Sequence, residues 1–177
     1  FITSTKSERG YYIGRFEAGD TTATNSSRTA SSSDTNPVAC KKGIYSYTFV
    51  NQSQAANLSR NMYNSANYTS DLINSYAWDT ALVFIQTFSG DSDYSQQVPT
   101  QNTIAKCGES RLENGYDERC NIYDMVGSAY EWSTETCSFN SGGNPCTARG
   151  GDYGSIDIRT SSGSRTPGAT NSSFSHS

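Results

Sequence analysis

The chain has 177 residues, a formal net charge of −4 and a sequence isoelectric point of 4.9. That balance excludes a surface built to attract a phosphate backbone, so no nucleic acid is expected as a partner. The apolar runs fall far short of a membrane span, so no membrane insertion is expected either.

Only 33% of residues are hydrophobic and 17% charged, but 12 Tyr, 7 Phe and 2 Trp supply apolar bulk. Disordered chains are poor in aromatics and usually highly charged. The composition therefore predicts one folded domain over 1–177 with long polar loops. The opening FITSTKSERG is polar and carries no signal-peptide pattern.

YYIGRFEA (11–18) half alternates and reads as a strand. A polar loop follows over about 19–40, and KKGIYSYTFV (41–50) returns to an extended pattern. Ser53 fits a helix N-cap, with Ala55, Leu58 and Met62 forming an apolar stripe behind it. A second helix begins near Ser75, where Trp78, Ala81, Leu82 and Ile85 make a complete buried face. Phe84 and Phe88 lie on a neighbouring face.

Regular pattern then fades into loops, interrupted by the dense stretch NIYDMVGSAYEW (121–132). A Gly/Asn/Pro loop leads on to RGGDYGSIDIRTSSGSR (149–165). Strand, two helices, then short strands and irregular structure argue for an α+β fold.

Five cysteines are present, none in a CxxC pair, and His176 is the only histidine. A Cys/His zinc site is therefore not expected. Cys107/Cys120 and Cys137/Cys146 each bracket a short polar segment and could close it as a disulfide, which implies an extracellular setting; five free thiols are the alternative. Cys40 is the expected unpaired residue. The N-x-S/T sequons at Asn25, Asn51, Asn57, Asn67 and Asn171 matter only in a glycosylating host.

Four stretches carry a family resemblance. YDMVGSAYEW resembles the signature Y-D-[ML]-x-G-N-[VA]-W-E-W, and ARGGDYG resembles the R-G-G-S-[WY] that follows it. YYIGRFEAG looks like the same family's first strand and AWDTALVFI like its second helix. In this order they resemble the formylglycine-generating-enzyme/sulfatase-modifying-factor family, from Tyr11 to about Arg165. The resemblance implies a C-type-lectin-like fold with two helices, short strands and much irregular loop. It also implies a G-F-R segment past Ser177, so that the last strand would be missing from this chain.

The family's enzymes carry two cysteines in C-Y-R-Y-R-C-A-A-R. Placing its final arginine on Arg165 puts Asp157 and Ser162 at the cysteine positions. Neither can act as a thiolate, so no enzyme activity and no redox cofactor are expected. A single histidine cannot build the iron site of the sulfoxide-synthase relatives. The resemblance further implies structural calcium at the turn of the signature. Glu131 and backbone carbonyls would be its ligands there, but Ser128 and Tyr130 replace the family's Asn and first Trp. A buried, hydrogen-bonded structural role is the stronger expectation for Glu131. No EPN- or QPD-like motif of calcium-dependent lectins is present.

The same fold is used for display in diversity-generating retroelement systems, where adenines in selected codons of a C-terminal region are randomised. Randomised AAC or AAT codons never yield Lys, Glu, Gln, Met or Trp, and none of these occurs over 147–177. Tyr, Ser, Gly and Asn suit adaptable recognition. The expected ligand-binding residues are Tyr153, Asp157, Arg159, Ser161, Ser162, Arg165, Asn171 and Phe174, with His176 nearby. For Arg149 and Arg165, and for Gly150 and Gly151, a structural role is the stronger expectation; for Tyr153, Asp157 and Arg159 a structural and a binding role are evenly balanced.

The resemblance thus implies a non-catalytic module on a virion, such as a phage tail, or on a bacterial surface. It would bind a protein or glycan receptor and could assemble as a homo-oligomer. A structural or decoration protein of a larger assembly is the second expectation; an enzyme of the parent family is the third and disfavoured.

Overall fold

The computed structural model describes residues 2–25, 36–63, 65, 67–100, 103–113, 115–136, 146–151, 153 and 161–168. Among these residues the fold is mixed α+β, with three helices and several short antiparallel sheets. A short helix, α1 (Ile2–Glu8), opens the chain.

The half-alternating segment 11–17 forms no ladder and bends at Arg15 and Phe16. Its strand, β1 (Ala18–Asp20), starts only at the end of the expected span. The reason is where the groups of 11–17 go. The Tyr11 hydroxyl donates to the Ala77 carbonyl at 2.8 Å, Ile13 packs on the main core, and the Arg15 carbonyl accepts from Tyr123 N–H at 2.9 Å. β1 pairs on one side with β2 (Val38–Cys40) in the register Ala18↔Cys40, and on the other with β3 (Tyr45–Ser46). The long polar loop is therefore shorter than expected: both its ends are strand, and residues 26–35 within it lie outside those described.

Helix α2 (Gln52–Met62) begins two residues earlier than expected, because Asn51 and not Ser53 caps it. The Asn51 side chain accepts from Gln54 N–H at 2.9 Å while the Gln54 side chain accepts from Asn51 N–H at 2.9 Å, a reciprocal capping box. Helix α3 (Ser75–Phe88) is capped by Asn74. It buries Ala77, Trp78, Ala81, Leu82 and Ile85, the expected face. Tyr76, Val83, Phe84 and Phe88 stay exposed along its outer side.

A 3-10 turn (Tyr94–Gln96) follows, then two hairpins: β4 (Arg111–Leu112) with β5 (Gly115–Tyr116), and β6 (Glu118–Arg119) with β7 (Ile122–Tyr123). The last sheet is β8 (Glu131–Thr136), β9 (Cys146–Arg149) and β10 (Arg165–Gly168), with β9 in the centre. Residues 137–145, between β8 and β9, lie outside those described.

Two apolar clusters result. The larger joins α3 to Tyr94, Leu112, Ile122, Met125 and Val126. The smaller joins Tyr47, Val50, Trp132, Cys146 and Ala148, with Ala55 and Leu58 of α2 packed on it. The indole of Trp132 donates to the Val50 carbonyl at 2.7 Å, so the bulkiest member of the second cluster leaves no polar group unpaired.

Ile85 is fully buried and Val83 is 62% exposed on the same helix. Ile85→Ala is expected to cost about 3 kcal/mol of unfolding free energy, and Val83→Ala less than about 0.5 kcal/mol. Urea unfolding of the two variants reads the difference.

Candidate functional site

The segment 150–164 leaves and re-enters the last sheet at one point. β9 and β10 pair in the register Arg149↔Arg165 through Gly168↔Cys146, so the two arginines stand side by side at the mouth of the segment. Arg149 is completely buried, a costly place for a guanidinium. It forms an ion pair with Asp79 of α3 and lies 5.7 Å from the centre of the Trp78 ring. Its Nη1 is 3.8 Å from Glu135 of β8. Burial pulls its pKa below the usual arginine range, Asp79 pushes it back up, and the neighbouring Arg165 lowers it again. Arg165 is half exposed and closes the network, 2.6 Å from Asp79 and 3.3 Å from Glu135.

The other end of the segment is pinned from below. The Trp78 indole donates to the Ser162 carbonyl at 2.8 Å, the Ser162 hydroxyl donates to the Tyr94 carbonyl at 2.7 Å, and Gly163 N–H donates to the Ser95 carbonyl at 3.0 Å. A Cβ at Gly163 would lie 2.8 Å from that same carbonyl, so the close approach requires glycine.

These contacts correct the expected contact surface. Ser161 and Ser162 are buried, 5% and 0% exposed, and Ser162 is a structural anchor. Tyr153 is half buried. Arg165 is accessible and borders an open hollow of about 620 Å³, lined also by Asp79, Val83, Gln86, Gln96 and Ser164. Asp157, Arg159, Asn171 and Phe174 lie outside the described residues, as does His176. Sequence reading missed Asp79 and Glu135. Asp79 had a signal: it is the only charged residue in α3.

A second polar cluster lies beneath the first sheet and the signature turn. Glu17 Oε1 and both carboxylate oxygens of Glu131 are buried. Glu17 and Glu131 adjoin each other, and both are pushed well above the usual carboxylate range, by burial first and then by neighbouring carboxylates. Two adjoining buried carboxyls do not both ionise, so at least one of the pair is held protonated. Among the described residues Glu17 Oε1 and both Glu131 oxygens lack a hydrogen-bond partner, so the Glu131 carboxyl is buried as expected but without the expected hydrogen bond. Ser46 donates to Glu17 Oε2 at 2.6 Å. Asp124 accepts from the N–H groups of Gly108 and Ser110 and is raised by burial. Gly150 (φ +75°) packs its backbone so close to Glu131 that a side chain there would collide with the carboxyl. Among the described residues no group of three or more acidic, Cys or His side chains is arranged to hold a metal ion.

The Cys107–Cys120 pairing is also corrected. Both are free thiols. Cys107 is fully buried, with Sγ 3.7 Å from Ser46 Oγ, whereas Cys120 sits at the β6–β7 turn with φ +52° and packs on the α3 cluster. Burial, and then Glu17, hold the Cys107 thiol well above its ordinary pKa, which removes its nucleophilic form. Cys40 is a free thiol 3.6 Å from the Met62 sulfur. Cys146 is buried in the second cluster; Cys137 lies outside the described residues.

The chain matches no protein-family model, no curated protein and no solved structure.

Removing one partner of a buried ion pair is the damaging change. Asp79→Ala is expected to cost about 3 kcal/mol by stranding Arg149, and Arg60→Ala, which breaks an exposed pair with Asp71, less than about 1 kcal/mol. Calorimetric melting compares them.

Asp117 supplies a pH signature. It is fully buried, accepts from the Tyr94 hydroxyl and Val126 N–H, both at 2.7 Å, and burial raises it from 3.8 to about 6. A carboxyl raised on folding stabilises the protein below its unfolded pKa, and that contribution disappears as pH rises through the folded pKa. Stability should therefore fall as pH rises from about 4 to about 6. Asp117→Asn, which keeps an acceptor for Val126 N–H, should flatten that part of the profile in urea titrations at stepped pH.

Proposed function

We propose that this chain is a non-catalytic ligand-binding domain of C-type-lectin-like architecture, related to the formylglycine-generating-enzyme family and displayed outside the cell on a virion or bacterial surface. Its receptor is a protein or a glycan, and segment 150–164 with its C-terminal continuation is the recognition element. The observation that carries this reading is the closure of the segment. Its ends are fixed by the β9–β10 ladder and the Arg149–Asp79–Arg165 network, and its last turn by Trp78 and Tyr94. Binding loops are commonly positioned on a rigid base of this kind.

A non-enzymatic role is supported by the same residues. Ser162 stands where the family's enzymes carry a cysteine, and its hydroxyl is committed to the Tyr94 carbonyl. Cys107, the buried thiol in the turn beside the first sheet, is held protonated. One observation favours the second reading, a decoration protein packed into a larger assembly: Tyr76, Val83, Phe84 and Phe88 expose an apolar stripe along α3, with the two phenylalanine rings 5.0 Å apart.

Diversification of the segment is part of the proposal, and the burial of its anchors sharpens it. Deep sequencing of the locus should find substitutions concentrated over 151–177, at Tyr153, Asp157 and Arg159 among others, while Ser161, Ser162 and Gly163 stay fixed. A reverse-transcriptase gene beside a near-copy of this coding segment should accompany them. Substitutions spread evenly along the chain would remove diversification from the reading.

A further inference from the structure

Arg60, Arg119, Arg149 and Arg165 are matched to carboxylates. Arg15, Lys42, Lys106 and Arg111 are different. Among the described residues none of the four pairs with a carboxylate, and each is held over an aromatic ring. Arg15 lies 5.3 Å from the centre of the Phe16 ring and 5.6 Å from that of Tyr123. Lys42 lies 5.4 Å from Tyr123 and 5.9 Å from Tyr116. Arg111 lies 4.4 Å from Tyr116 and donates to its hydroxyl at 3.2 Å. Shared rings therefore link three cations into one row, and Lys106 over Tyr45 at 4.9 Å adjoins it through the turn at Cys107.

The backbone builds this row. Tyr123 N–H donates to the Arg15 carbonyl, and the β4–β5 register sets Arg111 opposite Tyr116. Gly108, at φ +80°, lets Phe16 and Lys42 close over it: a Cβ there would lie 2.9 Å from the Phe16 ring and 3.1 Å from Lys42 Cγ. Arg15, Lys42 and Arg111 are all exposed. Cations fixed over rings lose little further freedom when an anion arrives; Arg111 spends one donor on the Tyr116 hydroxyl, and the other N–H groups of its five-donor guanidinium stay available.

The rings select the kind of anion. Tyr123 is buried and Phe16 half buried, so Tyr116, 50% exposed between Lys42 and Arg111, is the ring with open surface. One open ring flanked by two cations matches one pyranose: its C–H face rests on the electron-rich ring, and its carboxylate or sulfate meets the donors. Single-stranded nucleic acid needs successive open rings. The exposed carboxylates Glu109 and Glu118 at the margin further oppose a continuous phosphate chain.

We propose that Arg15, Lys42, Arg111 and Tyr116 form a binding site for an acidic sugar, a uronic acid or sulfated residue of a polysaccharide, separate from segment 150–164.

Calorimetric titration of the intact chain tests this with a tetragalacturonate and a heparin tetrasaccharide as probes. Maltotetraose is the neutral control, and oligothymidylate and polyglutamate stand for the other polyanions. At least one acidic oligosaccharide should bind, more weakly as salt rises, and maltotetraose should not. Lys42→Gln, Arg111→Gln and Tyr116→Ala should each raise the dissociation constant about tenfold. Arg60→Gln and Arg165→Gln should leave it unchanged, which keeps this site distinct from the receptor site. Lys42→Gln alters only an exposed side chain and carries the test should another variant unfold. The proposal is overturned if neither acidic oligosaccharide binds, if Lys42→Gln binds like the parent chain, or if oligothymidylate or polyglutamate binds as tightly as the sugars.

Discussion

The structure depends on keeping one guanidinium charged where water does not reach. Arg149 sits in the central strand of the last sheet with no exposure, so its charge must be met by protein groups. Asp79 brings α3 to it, Glu135 brings β8, and Arg165 ties β10 to both carboxylates. Trp78 lies against the same guanidinium and passes its N–H to Ser162. Helix, sheet and the far end of segment 150–164 are thus fixed relative to one charge. Among the described residues Arg149 Nε and Nη1 lack hydrogen-bond partners, so the arrangement favours placement over maximal stability.

How far the sequence reveals this differs from element to element. The buried face of α3 is legible because Trp78, Ala81, Leu82 and Ile85 repeat at the helical period and the core obeys it. The start of α2 is misread because Ser53 and Asn51 are both good caps, and only the reciprocal bond from Gln54 decides between them. The alternation that begins at Tyr11 holds only as far as Gly14, with Tyr11 and Ile13 turned inward and Tyr12 outward, and period alone does not say where backbone groups find partners. Ser161 and Ser162 read as contact residues because small hydroxylated residues usually face water. Their burial is set by Trp78, Tyr94 and Ser95, more than sixty positions away, and no local pattern encodes that.

Charge is distributed in two contrasting ways. Inside, Glu17, Asp117, Asp124 and Glu131 are carboxyls removed from water and shifted toward their neutral forms. Outside, a row of cations rests on rings rather than on carboxylates. The formal charge of −4 counts every carboxyl as ionised, so each buried proton makes the molecule one unit less negative than its composition suggests. An acidic isoelectric point and a locally cationic face are therefore compatible.

The register Arg149↔Arg165 has a consequence for evolution by length. The ladder closes segment 150–164 like the neck of a purse, and the cost of closing a loop grows only with the logarithm of its length. Residues added before Ser161 would leave the neck, the Ser162 anchor and both apolar clusters unchanged. Insertions and deletions, and not substitutions alone, are then open to this domain as a source of new shapes.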